Sequence, residues 1–239
     1  MCFAANKKVL VVTSHHDDEA LFCGGLLGNL RGAAELTIIC MSEAKQKRDI
    51  EGRNQCFRKV CKNLGARAIT TSFRDARHVW SHVDLFFRKR PQQIAAMREF
   101  LQTQSKVLQP DIVITHNEAG EYGHCYHKVV HRVCRQAFDR EKLYFIGVGS
   151  NGNGRDRVVV DYDAQKKKQL MECYPNFDAA TFCKRFFGAV ITYRPETYFA
   201  GRNHAPAAAA ATAVAVYSGL TADFLHFWVR KLRSDMGWC

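Results

Sequence analysis

No two cysteines in this chain stand in a Cys-x-x-Cys arrangement, although there are ten of them among 239 residues. That spacing excludes a structural zinc knuckle. Several cysteines lie inside apolar runs, such as Cys40 in Leu36-Thr37-Ile38-Ile39-Cys40, and read as small core residues in a reducing compartment. No apolar run reaches the roughly 20 residues that span a bilayer. The longest candidate, Ala205 to Tyr217, is short and mostly alanine. Met1 to Lys8 has charged and apolar residues in the wrong order for a signal peptide, so a soluble, cytoplasmic protein is expected. There are no internal repeats, and no basic stripe is interleaved with aromatics. The net charge of +12 is spread from Lys7 to Arg233. It favours solvated basic faces and an anionic substrate over nucleic acid.

What is present is 47% apolar residue, enough for a sizeable core, and a regular alternation of strand-like and helix-like stretches. Lys8–Thr13, Glu35–Met41, Ala66–Ser72, Asp111–Thr115, Leu143–Val148 and Val158–Asp161 read as strands. Helices are expected from Ala20, over Glu43–Leu64, Gln92–Leu108, from His124 or His127 to about Phe138, and over Ala164–Cys173. Gly65 suits a helix C′ position, and Pro110 stops the third helix. The alternation predicts an α/β fold of Rossmann-like type, a mostly parallel sheet with helices on both faces. Residues 1–203 form one domain in this reading. Residues 204–239 form an Ala-rich linker and a C-terminal amphipathic helix, with Phe224, Phe227 and Trp228 on its apolar side.

Chemistry-bearing residues gather after two of the strands. Ser14-His15-His16-Asp17-Asp18-Glu19 follows the first, and His116 with Glu121-Tyr122-Gly123-His124-Cys125-Tyr126-His127 follows the fourth. In open α/β sheets ligands bind at that edge. Catalytic zinc takes three protein ligands from His, Asp and Glu and leaves a fourth position open. His15, Asp18 and His127 supply two nitrogens and one oxygen. On an extended segment the side chains of Asp17 and Asp18 diverge, so Asp18 can be a ligand while Asp17 acts as the base that hydrolysis requires. His124 lies three residues before His127, on the same face of a helix, where it can stabilise an oxyanion or protonate a leaving amine. Spacing alone offers His127 with His131 equally well as a ligand pair. A His-Asp-Asp loop can also be no more than a helix N-cap.

Both clusters resemble signatures of the PIG-L/LmbE-like family of zinc-dependent N-acetylglucosaminyl deacetylases, whose motifs are His-Pro-Asp-Asp-Glu and Gly-His-x-x-His. The resemblance implies zinc held by His15, Asp18 and His127, Asp17 as general base, and His124 as oxyanion stabiliser or general acid. It also implies a substrate-binding role for Arg53 and a reaction that removes acetyl from the 2-amino group of an N-acetylglucosamine conjugate. His16 replaces the family's proline, where it loosens the loop or offers a stray ligand. Cys125 replaces a common proline, and Cys56 stands where the family has an acid after the arginine. Gly24-Gly25 matches a glycine pair, and Val158 to Tyr174 is similar to a later strand followed by a Lys-containing helix. Two alternatives keep the fold. One is a binding protein for a phosphorylated sugar or polyanion, with metal absent or structural. The other is an amidase acting on a non-sugar amide.

Overall fold

The computed structural model describes residues 4–42, 47–75, 87–148, 157–174 and 196–201. The expected Ala-rich linker and C-terminal amphipathic helix, residues 204–239, lie outside the described residues. Among the described residues no helix is long and apolar enough to cross a membrane.

Seven strands form one sheet. They are β1 (Lys8–Thr13), β2 (Glu35–Cys40), β3 (Arg67–Thr70), β4 (Ile112–Thr115), β5 (Leu143–Ile146), β6 (Arg157–Val160) and β7 (Glu196–Ala200), in the order β3-β2-β1-β4-β5-β7-β6. The first five in that order pair in parallel, and β7 pairs antiparallel with β5 and β6. The expectation of a mostly parallel sheet holds. β7 was not among the expected strands, because Glu-Thr-Tyr-Phe-Ala is neither a clean apolar run nor a clean alternation.

The helices are α1 (Asp18–Leu30), α2 (Lys47–Leu64), α3 (Pro91–Leu108), α4 (Cys125–Ala137) and α5 (Ala164–Met171). Strand β1 shows how both sheet faces are filled. Val9 and Val11 point into a core with Leu21, Phe22 and Leu26 of α1, Phe57 and Val60 of α2, and Leu170 of α5. Leu10 and Val12 point into the opposite core, with Met97 and Leu101 of α3 and Val129, Val130 and Val133 of α4. A strand covered on both faces must be apolar throughout, which is why β1 and β4 carry no polar alternation. Each aliphatic side chain so buried contributes about 1.5–3 kcal/mol. The seven described cysteines are all free thiols, six of them buried, and burial pushes those of Cys23 and Cys40 well up.

One polar knot ties α1 to β7 and α5. Glu196, the first residue of β7, accepts from the amides of Gly25 and Leu26 at 2.8 Å each, from Lys167 Nζ at 2.6 Å and from the Tyr198 hydroxyl at 2.8 Å. Lys167 is fully buried and lies 5.1 Å over the Tyr162 ring. Side chains crowd the glycine pair. A Cβ at Gly25 would stand 2.4 Å from the Tyr162 ring and 2.9 Å from the Glu196 carboxyl carbon.

This knot generates a stability prediction. Removing one partner of a buried ion pair leaves an uncompensated charge, so Lys167→Met should lower the unfolding free energy by roughly 3–5 kcal/mol. Adding Glu196→Gln should restore part of the loss. Urea denaturation of both variants beside wild type measures it, and an unchanged midpoint in Lys167→Met would contradict the structural role of the pair.

Candidate active site

Strands β1 and β4 are neighbours, and the connections leaving them run to opposite sides of the sheet. The crevice beyond their carboxyl ends is a topological switch point, the usual ligand position in such sheets. Both clusters arrive there. Helix α1 starts at Asp18, two residues earlier than expected, because Asp17 takes the N-cap position with φ 116° and ψ −28°. Asp17 and Asp18 are therefore not on an extended segment. Their side chains diverge because one takes the N-cap position in left-handed backbone and the other begins the helix. Strain of that kind costs about 1–3 kcal/mol and persists only where the surroundings impose it. Asp18 and Glu19 lie in the first turn, where the helix dipole favours acids. At the second cluster His124 is the N-cap of α4, and its Nδ1 accepts from the Tyr126 amide at 3.2 Å. In the neutral ring the proton of His124 therefore sits on Nε2.

Three expected ligands converge. His15 Nδ1 lies 3.3 Å from His127 Nε2 and 3.5 Å from Asp18 Oδ2, and His127 Nε2 lies 3.5 Å from Asp18 Oδ2. An ion bonded tetrahedrally at about 2.0–2.1 Å sets its ligand atoms about 3.3–3.4 Å apart, so this triangle has the size of one face of a zinc site. Two further triplets overlap it, His15 with His124 and His127, and Asp18 with His116 and His127, each with its ligand atoms within 4.8 Å of one another. Each imidazole of the triangle has a carboxylate on its other nitrogen. His127 Nδ1 is 2.6 Å from Glu121 Oε2, and His15 Nε2 is 3.2 Å from Asp75 Oδ2. Such partners fix the tautomer and the ring orientation of metal-ligating histidines. Asp18 stays ionised, because the imidazoles of His127, His116 and His15 outweigh the opposing effect of burial.

His116 sits beside the triangle and is spent on its neighbours. Its Nε2 accepts the Ser14 amide at 2.9 Å, and its Nδ1 lies 2.9 Å from the same Glu121 oxygen that holds His127. Burial pulls its pKa down while Glu121 and Asp18 push it up to about 9. The amide proton of Ser14 cannot move, so in the neutral ring the proton sits on Nδ1. His116 also stacks on His127 with centroids 3.9 Å apart. His131 belongs to none of these clusters, and its Nδ1 bonds the His116 carbonyl at 2.8 Å. His16 turns away from the triangle and packs edge-on against Phe57, with centroids 5.2 Å apart.

Asp17 is an N-cap residue whose side chain does not cap. An ordinary N-cap carboxylate accepts an amide of the first turn. This one instead meets Arg53 Nη1 at 3.2 Å, and the same Nη1 donates to the His16 carbonyl at 3.3 Å. Burial and then the charge of Asp18 raise the pKa of Asp17, and Arg53 opposes them. Arg53, expected at the substrate, is thus bound to the expected base, with 39% of its side chain exposed. His124 is stacked on His127 with centroids 4.5 Å apart and is nearly buried.

Sequence reasoning missed the roles of Glu121, His116 and Asp75. Glu121 and His116 were legible only as members of a cluster, since both face the site through a loop with left-handed backbone at Gly120, Glu121 and Gly123. Asp75 carries no local signal, being single and distant in sequence.

The chain matches the family model for GlcNAc-PI de-N-acetylase, PIG-L, over residues 10–138. No curated protein matches it in sequence. Several solved structures share the fold. The A40926 pseudoaglycone deacetylase Dbv21 superposes with a TM-score of 0.58 at 17% identity, covering 82% of this chain and 97% of that one. The zinc-inhibited form of teicoplanin deacetylase Orf2 gives 0.60 at 13% identity, covering 80% and 96%. N,N′-diacetylchitobiose deacetylase from Pyrococcus horikoshii gives 0.56 at 13% identity, covering 81% and 83%. The matched segment holds the four strands β1 to β4, helix α4 and every residue of the triangle, and on that ground the chain belongs to the PIG-L family.

Proposed function

We propose that this protein is a zinc-dependent N-deacetylase that removes an acetyl group from the 2-amino group of an N-acetylglucosamine-type sugar conjugate. The observation that carries the reading is the triangle of His15 Nδ1, Asp18 Oδ2 and His127 Nε2 beside Asp17, a buried carboxylate that forgoes its cap. Two nitrogens and one oxygen, with carboxylates behind both imidazoles, fit zinc in a catalytic rather than a structural setting. When bound, zinc supplies Lewis acidity that activates water and polarises an amide carbonyl.

The chain's own residues supply the proton transfers. Asp17, its pKa raised by burial and by Asp18, takes the proton of the attacking water and is kept from capping the helix by Arg53. His124 holds its proton on Nε2, and that proton stabilises the developing oxyanion or passes to the leaving amine. Arg53 keeps a substrate-binding role through its exposed part, and the charge of +12 favours a substrate carrying an anionic group such as phosphate. In this reading residues 1–203 are the deacetylase domain and the protein works in the cytoplasm. Deacetylation of sugar conjugates by proteins of this fold, such as the chitobiose and teicoplanin deacetylases, supports the substrate class. A binding protein for a phosphorylated sugar or polyanion has no need of the diverted Asp17. An amidase for a non-sugar amide shares every residue named here, so a panel of N-acetylated substrates separates the two.

Two predictions follow from these roles. Asp17→Asn should retain one zinc per chain while amine release from an N-acetylated sugar falls roughly 10²–10⁴-fold. Metal analysis and a primary-amine assay read both quantities, and full activity in that variant would refute the base assignment. Glu121→Gln and Asp75→Asn should each weaken zinc binding by about 10–100-fold, measured by chelator competition. Unchanged affinity in both would mean that these carboxylates do not serve a metal site.

A further inference from the structure

Glu19 is fully buried beside the base, and the proposed reaction gives it no step. Both of its oxygens are engaged. Oε2 accepts the Asp17 amide at 3.1 Å, and Oε1 accepts the hydroxyl of Tyr174, itself buried just past α5. The Asp17 carbonyl is taken by the Ala20 and Leu21 amides at 3.1 and 2.9 Å, as an N-cap carbonyl should be. The preceding peptide is different. Its carbonyl, that of His16, accepts from Arg53, and its amide, that of Asp17, donates to Glu19. Glu19 and Arg53 therefore grip the two polar ends of the one peptide group whose orientation sets φ of Asp17 at 116°.

Residues with a Cβ avoid that conformation. With the Glu19 acceptor removed, turning the His16–Asp17 peptide over would bring φ of Asp17 to a negative value. The carboxylate could then swing onto the first turn of α1 as an ordinary cap, abandoning Arg53.

We propose that Glu19, anchored by Tyr174, is a positioning residue that holds Asp17 in left-handed backbone and so keeps the carboxylate out of the cap and available to the reaction. The inference rests on the reading of Asp17 as base. Glu19 acts here as an acceptor and not as a proton carrier. A glutamine can fill that role, with its carbonyl oxygen on the Asp17 amide and its amide group donating to the Tyr174 oxygen.

The test compares crystal structures and kinetics of Glu19→Met, Glu19→Gln and Tyr174→Phe in the full chain. Glu19→Met keeps the volume and removes both acceptors. It should show Asp17 at negative φ with its carboxylate on the Ala20 amide. It should keep wild-type zinc content and KM while kcat falls roughly 10–100-fold, the loss expected for a displaced catalytic group. Glu19→Gln should restore both the backbone and kcat. Tyr174→Phe should move both in the direction of Glu19→Met by less, and it is the variant to read if Glu19→Met does not fold. Asp17 still at φ near 116° in Glu19→Met, or in Tyr174→Phe where that variant is read, would overturn the proposal. So would a Glu19→Gln as impaired as Glu19→Met, which would make Glu19 an acid–base group. If wild type releases no amine from any N-acetylated sugar, the deacetylase reading fails, and the backbone of Asp17 in these variants still decides the positioning role.

Discussion

The charge of Asp18 is the constraint on which the site is built. A carboxylate buried at the end of a parallel sheet is costly unless it is paired. Its Oδ2 accepts the His15 amide at 2.8 Å, and ring nitrogens of His15, His116 and His127 lie 3.3–3.5 Å from it. Those imidazoles then need partners of their own, and Glu121 and Asp75 supply them. The result is alternating acid and imidazole, reaching from the first strand to the fourth. Each member is held by one that comes from elsewhere in the chain, so the arrangement depends on the sheet that brings β1 and β4 side by side.

The same logic gives two adjacent acids different surroundings. Asp18 accepts the His15 amide, has three imidazoles around it and is held well below the usual carboxylate range. Asp17, next to it, faces one guanidinium and is raised by burial and by its neighbour. Two carboxylates adjacent in sequence thus have opposite tendencies, set by the helix that begins between them. In the proposed function the ionised Asp18 is the ligand and the raised Asp17 the base. The backbone strain at Asp17 belongs to the same design, since a relaxed N-cap would spend the carboxylate on an amide.

The strand frame and the convergence of the clusters were legible in the sequence because both are matters of pattern. Val9 to Val12 and Ile112 to Ile114 are apolar on both faces, and histidines and acids follow each run directly. The local geometry was not legible. The positive φ of Asp17 leaves no trace in composition, so the two aspartates read as an extended pair. The choice between His127 with His131 and His127 with His15 turned on which ring nitrogens the fold brings together, and His131 is outside the clusters. Asp75, Glu121 and β7 depend on contacts made across 60 or more residues or through left-handed loops, for which a single sequence carries no periodicity.

The most direct test of the central claim is a crystal structure of the protein with zinc, with anomalous data collected on both sides of the zinc edge. The account predicts one ion per chain, about 2.0–2.2 Å from His15 Nδ1, Asp18 Oδ2 and His127 Nε2 together, with a fourth position open. An ion bound elsewhere, or no anomalous peak at an intact triangle in saturating zinc, would contradict it.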